Sequence, residues 1–202
     1  MRVHLVRHGQ STWNVEGRLQ GQTLEPPLTD LGREQAAVAA QRLAALLAGV
    51  PREQVLLVAS DQVRAAQTAQ VLAAALGLPV ETDVRLREQG LGELEGRLAS
   101  ELVAQEVPEG LDVSEVRWGA GESVQDVHAR AGALVADLRA RAGASGLGEV
   151  VLVTHGDTLR VLRAVLAGRS HREVDWGDTV ANGSVYTELA WRGRPRAPLT
   201  SA

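Results

Sequence analysis

The chain of 202 residues contains no cysteine, no lysine and no phenylalanine. Without cysteine, disulfides and thiolate metal sites are excluded, and a reducing compartment is favoured. Without lysine, all 21 basic residues are arginine, which excludes Schiff-base chemistry and a lysine nucleophile. Any oxyanion that this chain binds must therefore be held by arginine, whose planar guanidinium group suits such ligands.

Long apolar runs and basic patches are also missing. The first residues, MRVHLVRHG, lack the apolar stretch of a secretion signal, and no run reaches membrane-spanning length. The formal net charge is −4 and the arginines are scattered, so no affinity for nucleic acid is expected. These features predict a cytoplasmic monomer or homodimer without a nucleic-acid or membrane partner.

Apolar residues make up 45% of the chain, although only five are aromatic, so the core must be built from Leu, Val and Ala. Short β-rich or apolar runs predict strands at residues 3–7, 55–59, 79–82, 150–154 and 184–190. Capping residues and stop signals predict helices from Thr29 to about 47, from Ser60 or Asp61 to about 76, near 97–107, from Ser123 onward and over 156–166.

This alternation of strands and helices predicts a three-layer α/β/α fold with a mostly parallel central sheet. We expect a single domain over residues 1–202, with a lid insertion at about 90–121 and a flexible tail at about 192–202. Ligands of such sheets bind beyond the carboxyl ends of the strands. The groups that the sequence brings to that edge are Arg7, His8, Arg64, a glutamate among Glu88, Glu93 and Glu95, and His155.

Each of these groups has a plainer interpretation when taken alone. A histidine after a strand is often structural, a helical arginine such as Arg64 is often exposed, and loop glutamates are usually solvated. Two features favour chemistry: a strand followed by His-Gly occurs twice, at His8 and His155, and Arg7 lies beside the first histidine. A carboxyl group near a bound anion suits a general acid, but the spacing does not choose among the glutamates.

Five motifs in order carry a family resemblance: RHGQSTWN, GRLQGQTLEPPLTDLGREQA, SDQVRAAQTA, LREQGLGELEG and VTHGD. Together they resemble the histidine phosphatase superfamily, in the branch with the cofactor-dependent phosphoglycerate mutases, from Arg2 to about Ser184. The resemblance implies that His8 is the phosphorylated nucleophile and Glu88 the proton donor. It also implies a phosphate pocket formed by Arg7, Arg64 and a protonated His155, bordered by Asn14, Gln20, Gly21, Thr23 and Gly156.

The resemblance leaves three functions open. A phosphatase that acts on a small phosphorylated metabolite is favoured, because the stretch from Glu88 to His155 is short and the mutases use a lysine that this chain lacks. A cofactor-dependent phosphoglycerate mutase and a non-catalytic phosphate-ligand-binding protein are the alternatives. Within the lid, Arg117 and Trp118 could contact substrate, or Trp118 could simply pack.

No metal site and no cofactor are predicted. The remaining histidines, His4, His128 and His171, lack the neighbour spacing of a helix-based zinc motif.

Overall fold

The computed structural model describes residues 1–103 and 106–190, and the predicted tail at about 192–202 lies outside them. In the described part, the helices and strands follow in this order: β1 Arg2–Arg7, α1 Thr12–Glu16, α2 Asp30–Leu46, β2 Val55–Ala59, α3 Val63–Leu76, β3 Val80–Thr82, α4 Val124–Ser145, β4 Glu149–Thr154, α5 Gly156–Leu166 and β5 Val185–Leu189.

The strands form one sheet in the order β3-β2-β4-β1-β5. The pairs β3-β2, β2-β4 and β4-β1 are parallel, and β5 pairs with β1 in the antiparallel direction. The predicted α/β fold with a mostly parallel sheet is confirmed.

Both faces of the central strands are buried, which explains their continuous apolar runs. In β4, Val150 and Leu152 pack on one side with apolar residues of α4 and α5. Val151 and Val153 pack on the other side with residues of α2 and α3. The sheet therefore separates two helical layers, as predicted.

The pairing of β1 with β4 brings the two predicted histidines together. Arg7 is in register with Thr154, and the N–H of His8 donates to the carbonyl of Thr154 at 2.9 Å. His8 and His155 therefore leave adjacent strands at the same level of the sheet.

The helix predicted near residues 97–107 is wrong. Among the described residues of this stretch, the structure shows only a three-residue 3₁₀ turn, Ala99–Glu101. The N–H of Leu19 donates to the carbonyl of Arg97 at 2.9 Å, and the N–H of Ala99 donates to Gly17 at 2.8 Å. These bonds to a distant loop hold the start of this segment in an extended conformation and override the local helix propensity.

The cap predicted for α3 is also wrong. Neither Ser60 nor Asp61 is the N-cap, because the helix begins at Val63 and Gln62 precedes it. Asp61 instead forms an ion pair with Arg87. The predicted caps Thr29 and Ser123 are confirmed by their side-chain bonds to the first turns of α2 and α4.

Residues 90–121, which we call the lid segment, contain four short 3₁₀ turns among their described residues. Its action as a lid stays a prediction. Within residues 1–103 and 106–190, no helix combines the length and the apolar character needed to cross a membrane.

Candidate active site

A small cavity of about 180 Å³, here called the inner cavity, lies beyond the carboxyl ends of β1 and β4. Several predicted site residues line it: Arg7, His8, Gln20, Gly21, Arg64, Glu88 and Gly156. The structure thus brings together side chains that are up to about 150 positions apart in the chain.

His8 is buried at the end of β1. Its Nδ1 lies 2.6 Å from the carbonyl oxygen of Gly9. Because a carbonyl can only accept, Nδ1 carries the proton and Nε2 keeps the lone pair that a nucleophile needs. Burial, together with Arg64 and Arg7, holds the pKa of His8 well below its usual range, so the ring is neutral at neutral pH.

His155 is fully buried, and its ring centroid lies 5.1 Å from that of His8. Burial, with Arg64 and His8 next in effect, holds the pKa of His155 well below its usual range. The expectation of a protonated His155 is therefore not met in this structure. A phosphate dianion beside the ring would act in the opposite direction and raise that pKa.

Two guanidinium groups flank the histidines. Arg64 is fully buried in the first turn of α3, and it donates to the carbonyls of Thr23 at 2.9 Å and Gly21 at 3.0 Å. Burial lowers the pKa of Arg64 to about 10, so the group stays charged at neutral pH. Arg7 donates to the carbonyl of Val180.

Several buried nitrogens around the inner cavity have no hydrogen-bond partner among the described residues. They are Nε of Arg7, Arg64 and Arg160 and both ring nitrogens of His155. An unpaired buried donor costs about 1–3 kcal/mol, and here the unpaired donors include three cationic groups. Such a cluster fits an oxyanion ligand. No group of three or more His, Asp or Glu side chains that could hold a metal ion is found in the described part of the chain.

Glu88 lies at the N-terminus of α5. Its carboxylate accepts from the N–H of Thr158 at 3.0 Å, the N–H of Asp157 at 3.2 Å and the N–H of Gln89 at 3.0 Å. The backbone N–H groups at the start of α5 thus fix the position of this carboxyl group at the edge of the inner cavity. Of the three glutamates considered from the sequence, only Glu88 is among the residues that line the inner cavity.

Five residues that line the inner cavity were not predicted from the sequence, and two of them, Asp157 and Arg160, are charged residues of α5. Asp157 pairs with Arg160 at 3.0 Å, yet desolvation and the neighbouring Glu88 raise the pKa of Asp157 to about 6. Asp157 belongs to the quoted motif VTHGD, and Arg160 lies one turn further along the same helix face. The i, i+3 spacing of these two opposite charges could have indicated that they form a pair on one face of α5.

Gln62 is a further residue that was not predicted, and it is fully buried. Its Nε2 donates to the carbonyls of Gly21 at 3.0 Å and Thr23 at 3.1 Å, while its Oε1 accepts from the N–H of Glu88 at 2.8 Å. One amide thus ties the loop before α2 to the backbone of Glu88. No local sequence pattern predicts this role, because the contacts of Gln62 join segments that are distant in the chain.

Two of the predicted border residues, Asn14 and Thr23, do not line the inner cavity but form hydrogen bonds to residues around it. Asn14 accepts from the N–H of Ser11 at 2.9 Å and from Asn182 at 3.2 Å. Thr23 offers its carbonyl to Arg64, and its hydroxyl donates to Glu95 at 3.1 Å. Both hold loops whose backbone frames the inner cavity.

A second, larger cavity of about 590 Å³, here called the outer cavity, adjoins the first. Leu19, Leu91 and Asp157 line both. Trp118 is in its wall, whereas Arg117 is in neither wall. The side chain of Arg117 is 64% exposed and pairs with Asp126 at 2.8 Å, so an intramolecular partner at the start of α4 holds it.

A family model described as histidine phosphatase superfamily (branch 1) matches residues 3–199. The chain belongs to this superfamily. It is 42% identical over 108 residues to a probable phosphoglycerate mutase GpmB of Yersinia pestis (strain Pestoides F), a match that covers 52% of this chain and 46% of that protein. The chain thus spans about half the length of these curated relatives.

Solved structures of the superfamily extend the likeness to most of the chain. A mycobacterial glucosyl-3-phosphoglycerate phosphatase complexed with VO3 has 34% identity and a TM-score of 0.77, covering 92% of this chain and 90% of that one. A mutant phosphoserine phosphatase from Entamoeba histolytica, in complex with phosphoserine, has 22% identity and a TM-score of 0.74, covering 96% and 93%. At that identity the second likeness concerns the fold alone.

Proposed function

We propose that the chain is a phosphomonoester hydrolase that acts on a small phosphorylated metabolite through a phosphohistidine at His8. The observation that carries the proposal is the set of unpaired buried donors on Arg7, Arg64, Arg160 and His155 around the neutral ring of His8. This set provides positive charge for the oxygens of one phosphoryl group beside a nucleophile.

In the first step, Nε2 of His8 attacks phosphorus while the ester P–O bond breaks. The departing alcohol oxygen takes a proton from Glu88. Arg7 and Arg64 neutralise the equatorial oxygens, and most of the catalytic effect comes from this positioning and electrostatics.

In the second step, a water molecule attacks phosphorus from the side that the alcohol has left. Glu88 removes a proton from the water, and the N–P bond breaks with its electron pair returning to Nε2 of His8. Inorganic phosphate then leaves.

The proposal requires neither a metal nor a cofactor, since guanidinium groups supply the positive charge. It also places the enzyme in the cytoplasm, as a monomer or homodimer that acts on small molecules.

A phosphoglycerate mutase is the second candidate, because 108 residues are 42% identical to a probable enzyme of that kind. The lack of lysine and the short stretch between Glu88 and His155 favour transfer to water over transfer to a second hydroxyl group. A non-catalytic phosphate-binding protein is less well supported, since such a protein needs neither a nucleophile nor a nearby carboxyl group.

Replacing the nucleophile tests the proposal. We expect His8→Ala to lower kcat for p-nitrophenyl phosphate by on the order of 10⁴-fold or more, the size of loss seen when a catalytic nucleophile is removed. The matched control is His128→Ala, whose side chain bonds to the carbonyl of Arg169 away from the cavities and whose loss should leave kcat unchanged.

The intermediate is tested by mixing the wild-type enzyme with a radiolabelled phosphomonoester and quenching within one turnover. Label that is lost in acid and kept in base supports a phosphohistidine, and a chelator should change neither label nor rate. Substantial turnover by the His8→Ala variant, or transfer of the label to added glycerate in preference to water, would contradict the proposal.

A further inference from the structure

The outer cavity adjoins the inner cavity, because Leu19, Leu91 and Asp157 line both. A phosphoryl group held beside His8 would therefore lie next to the outer cavity, whose volume of about 590 Å³ exceeds the volume of about 180 Å³ of the inner cavity and offers the larger space for a leaving group.

Apolar side chains dominate the walls of the outer cavity. They come from the lid segment and from the loop after α5, and include Leu91, Leu94, Leu102, Val113, Trp118 and Trp176. Val113 is 57% exposed and Trp176 is 48% exposed, although the chain holds only five aromatic residues. Exposed apolar surface concentrated in one concave place is the usual mark of a site for an apolar ligand.

The charges in this wall disfavour an anionic leaving group. The charged residues that line the outer cavity are Arg97, Glu101 and Asp157, which give two carboxyl groups and one guanidinium group. At the junction with the inner cavity, Arg160 pairs with Asp157 through Nη1. A carboxylate on the leaving group, as in phosphoglycerate or phosphoserine, would lie near Asp157 and Glu101, and Arg97 is the single guanidinium group among the described residues of this wall to balance them.

We propose that the preferred substrates are phosphomonoesters of apolar alcohols or phenols, whose hydrocarbon part binds in the outer cavity. This inference rests on the proposed phosphatase activity and gives its substrate class. It departs from the carboxylate-bearing substrates named for the similar proteins.

A series of straight-chain alkyl phosphates from ethyl to octyl tests the inference. The basicity of the leaving group hardly changes along the series, so differences in kcat/KM report contact with the apolar wall. We expect kcat/KM to rise about 2- to 4-fold for each added methylene until the cavity is filled, as burial of that group predicts. The kcat/KM for the octyl ester should also exceed the values for 3-phosphoglycerate and phosphoserine.

Matched variants locate the effect. Val113→Asp places a carboxylate in the wall, and we expect it to reduce the octyl-to-ethyl ratio of kcat/KM by about ten-fold, because apolar burial beside a charge is unfavourable. Val38→Asp makes the same change at an exposed position on α2 that lines neither cavity, and it should leave the ratio unchanged.

The outcomes distinguish a failure of the apolar substrate class from a failure of the proposed phosphatase activity. Turnover of ethyl phosphate with a flat series, or a higher kcat/KM for 3-phosphoglycerate or phosphoserine, overturns the apolar substrate class and leaves the phosphatase intact. An equal effect of Val113→Asp and Val38→Asp also overturns it. Absence of turnover on every ester, including p-nitrophenyl phosphate, overturns the phosphatase and this inference together.

Discussion

Asp157 and Glu88 lie side by side at the N-terminus of α5, where the N–H of Asp157 donates to the carboxylate of Glu88 at 3.2 Å. Desolvation and the charge of Glu88 raise the pKa of Asp157 to about 6, against the opposite effects of Arg160 and Arg7. The folded protein therefore binds this proton more tightly than the unfolded chain does. Its contribution to stability is lost as the pH rises through about 6.

Asp157→Asn removes this titration. The variant should gain melting temperature relative to the wild type as the pH is raised from about 4 to about 7.5, because only the wild type must then carry the unfavourable charge. Thermal unfolding at a series of pH values measures the difference. A variant whose deficit grows with pH would show that the ion pair with Arg160 outweighs the desolvation of Asp157.

At the scale of elements, the first turn of α2 is clamped to the loop that carries His8. The N–H of Thr29 donates to the carbonyl of Gln10 at 2.9 Å. A Cβ atom added to Gly32 would lie 2.1 Å from that same carbonyl oxygen, and one added to Gly9 would lie 2.1 Å from the carbonyl oxygen of Gly32. Two glycines thus permit a backbone contact that positions the loop after β1.

Gly32→Ala must push these two segments apart. We expect it to lower the free energy of unfolding by about 1–3 kcal/mol, as overpacking does, and to lower kcat as the His8 loop shifts. Chemical denaturation and a phosphatase assay on the same sample measure both. Equal stability and equal kcat would mean that the loop accommodates the methyl group.

The control for this change is Gly132→Ala in α4, where an added Cβ meets no atom within 4 Å. This variant should be more stable by about 0.5–1 kcal/mol, because alanine is the better helix former. Its kcat should match that of the wild type.

Local signals explain which elements could be predicted from the sequence. The strands, the sheet class and the caps at Thr29 and Ser123 follow from apolar runs and short-range capping patterns, which act within a few residues. The segment near 97–107 could not be predicted, because its bonds to Gly17 and Leu19 come from a distant loop.

The residues of the candidate site likewise include some that local patterns predict and one, Gln62, that they do not. The convergence of Arg7, His8, Arg64, Glu88 and His155 could be predicted from strand ends and motif order. The role of Gln62, which joins three segments through one amide, depends on tertiary contacts that leave no periodic trace.

At the scale of the whole molecule, three buried histidines link stability to pH. Burial lowers the pKa of His4, His8 and His155, so the folded state binds fewer protons than the unfolded chain below the ordinary value of 6.5. The free energy of unfolding should therefore fall as the pH drops from about 7 to about 5. The slope is up to about 1.4 kcal/mol per pH unit for each histidine that stays neutral in the folded state.

Urea unfolding at stepwise lower pH measures this slope. In the variant His155→Gln the slope should be shallower than in the wild type, because one of the three groups no longer titrates. An unchanged slope in that variant would assign the acid sensitivity to carboxyl groups instead.

The separation between the two imidazole rings, 5.1 Å, is close to the distance of about 4.8 Å between neighbouring strands. The hydrogen-bonded pairing of β1 with β4 sets this spacing, since His8 and His155 directly follow the two strands. Under the proposed function, the sheet would position the nucleophile, and the stretch from Leu94 to Trp118 would mainly shape the outer cavity. Exchanging the part of the lid segment after Glu95 should therefore change substrate preference and leave the spacing of the two rings unchanged.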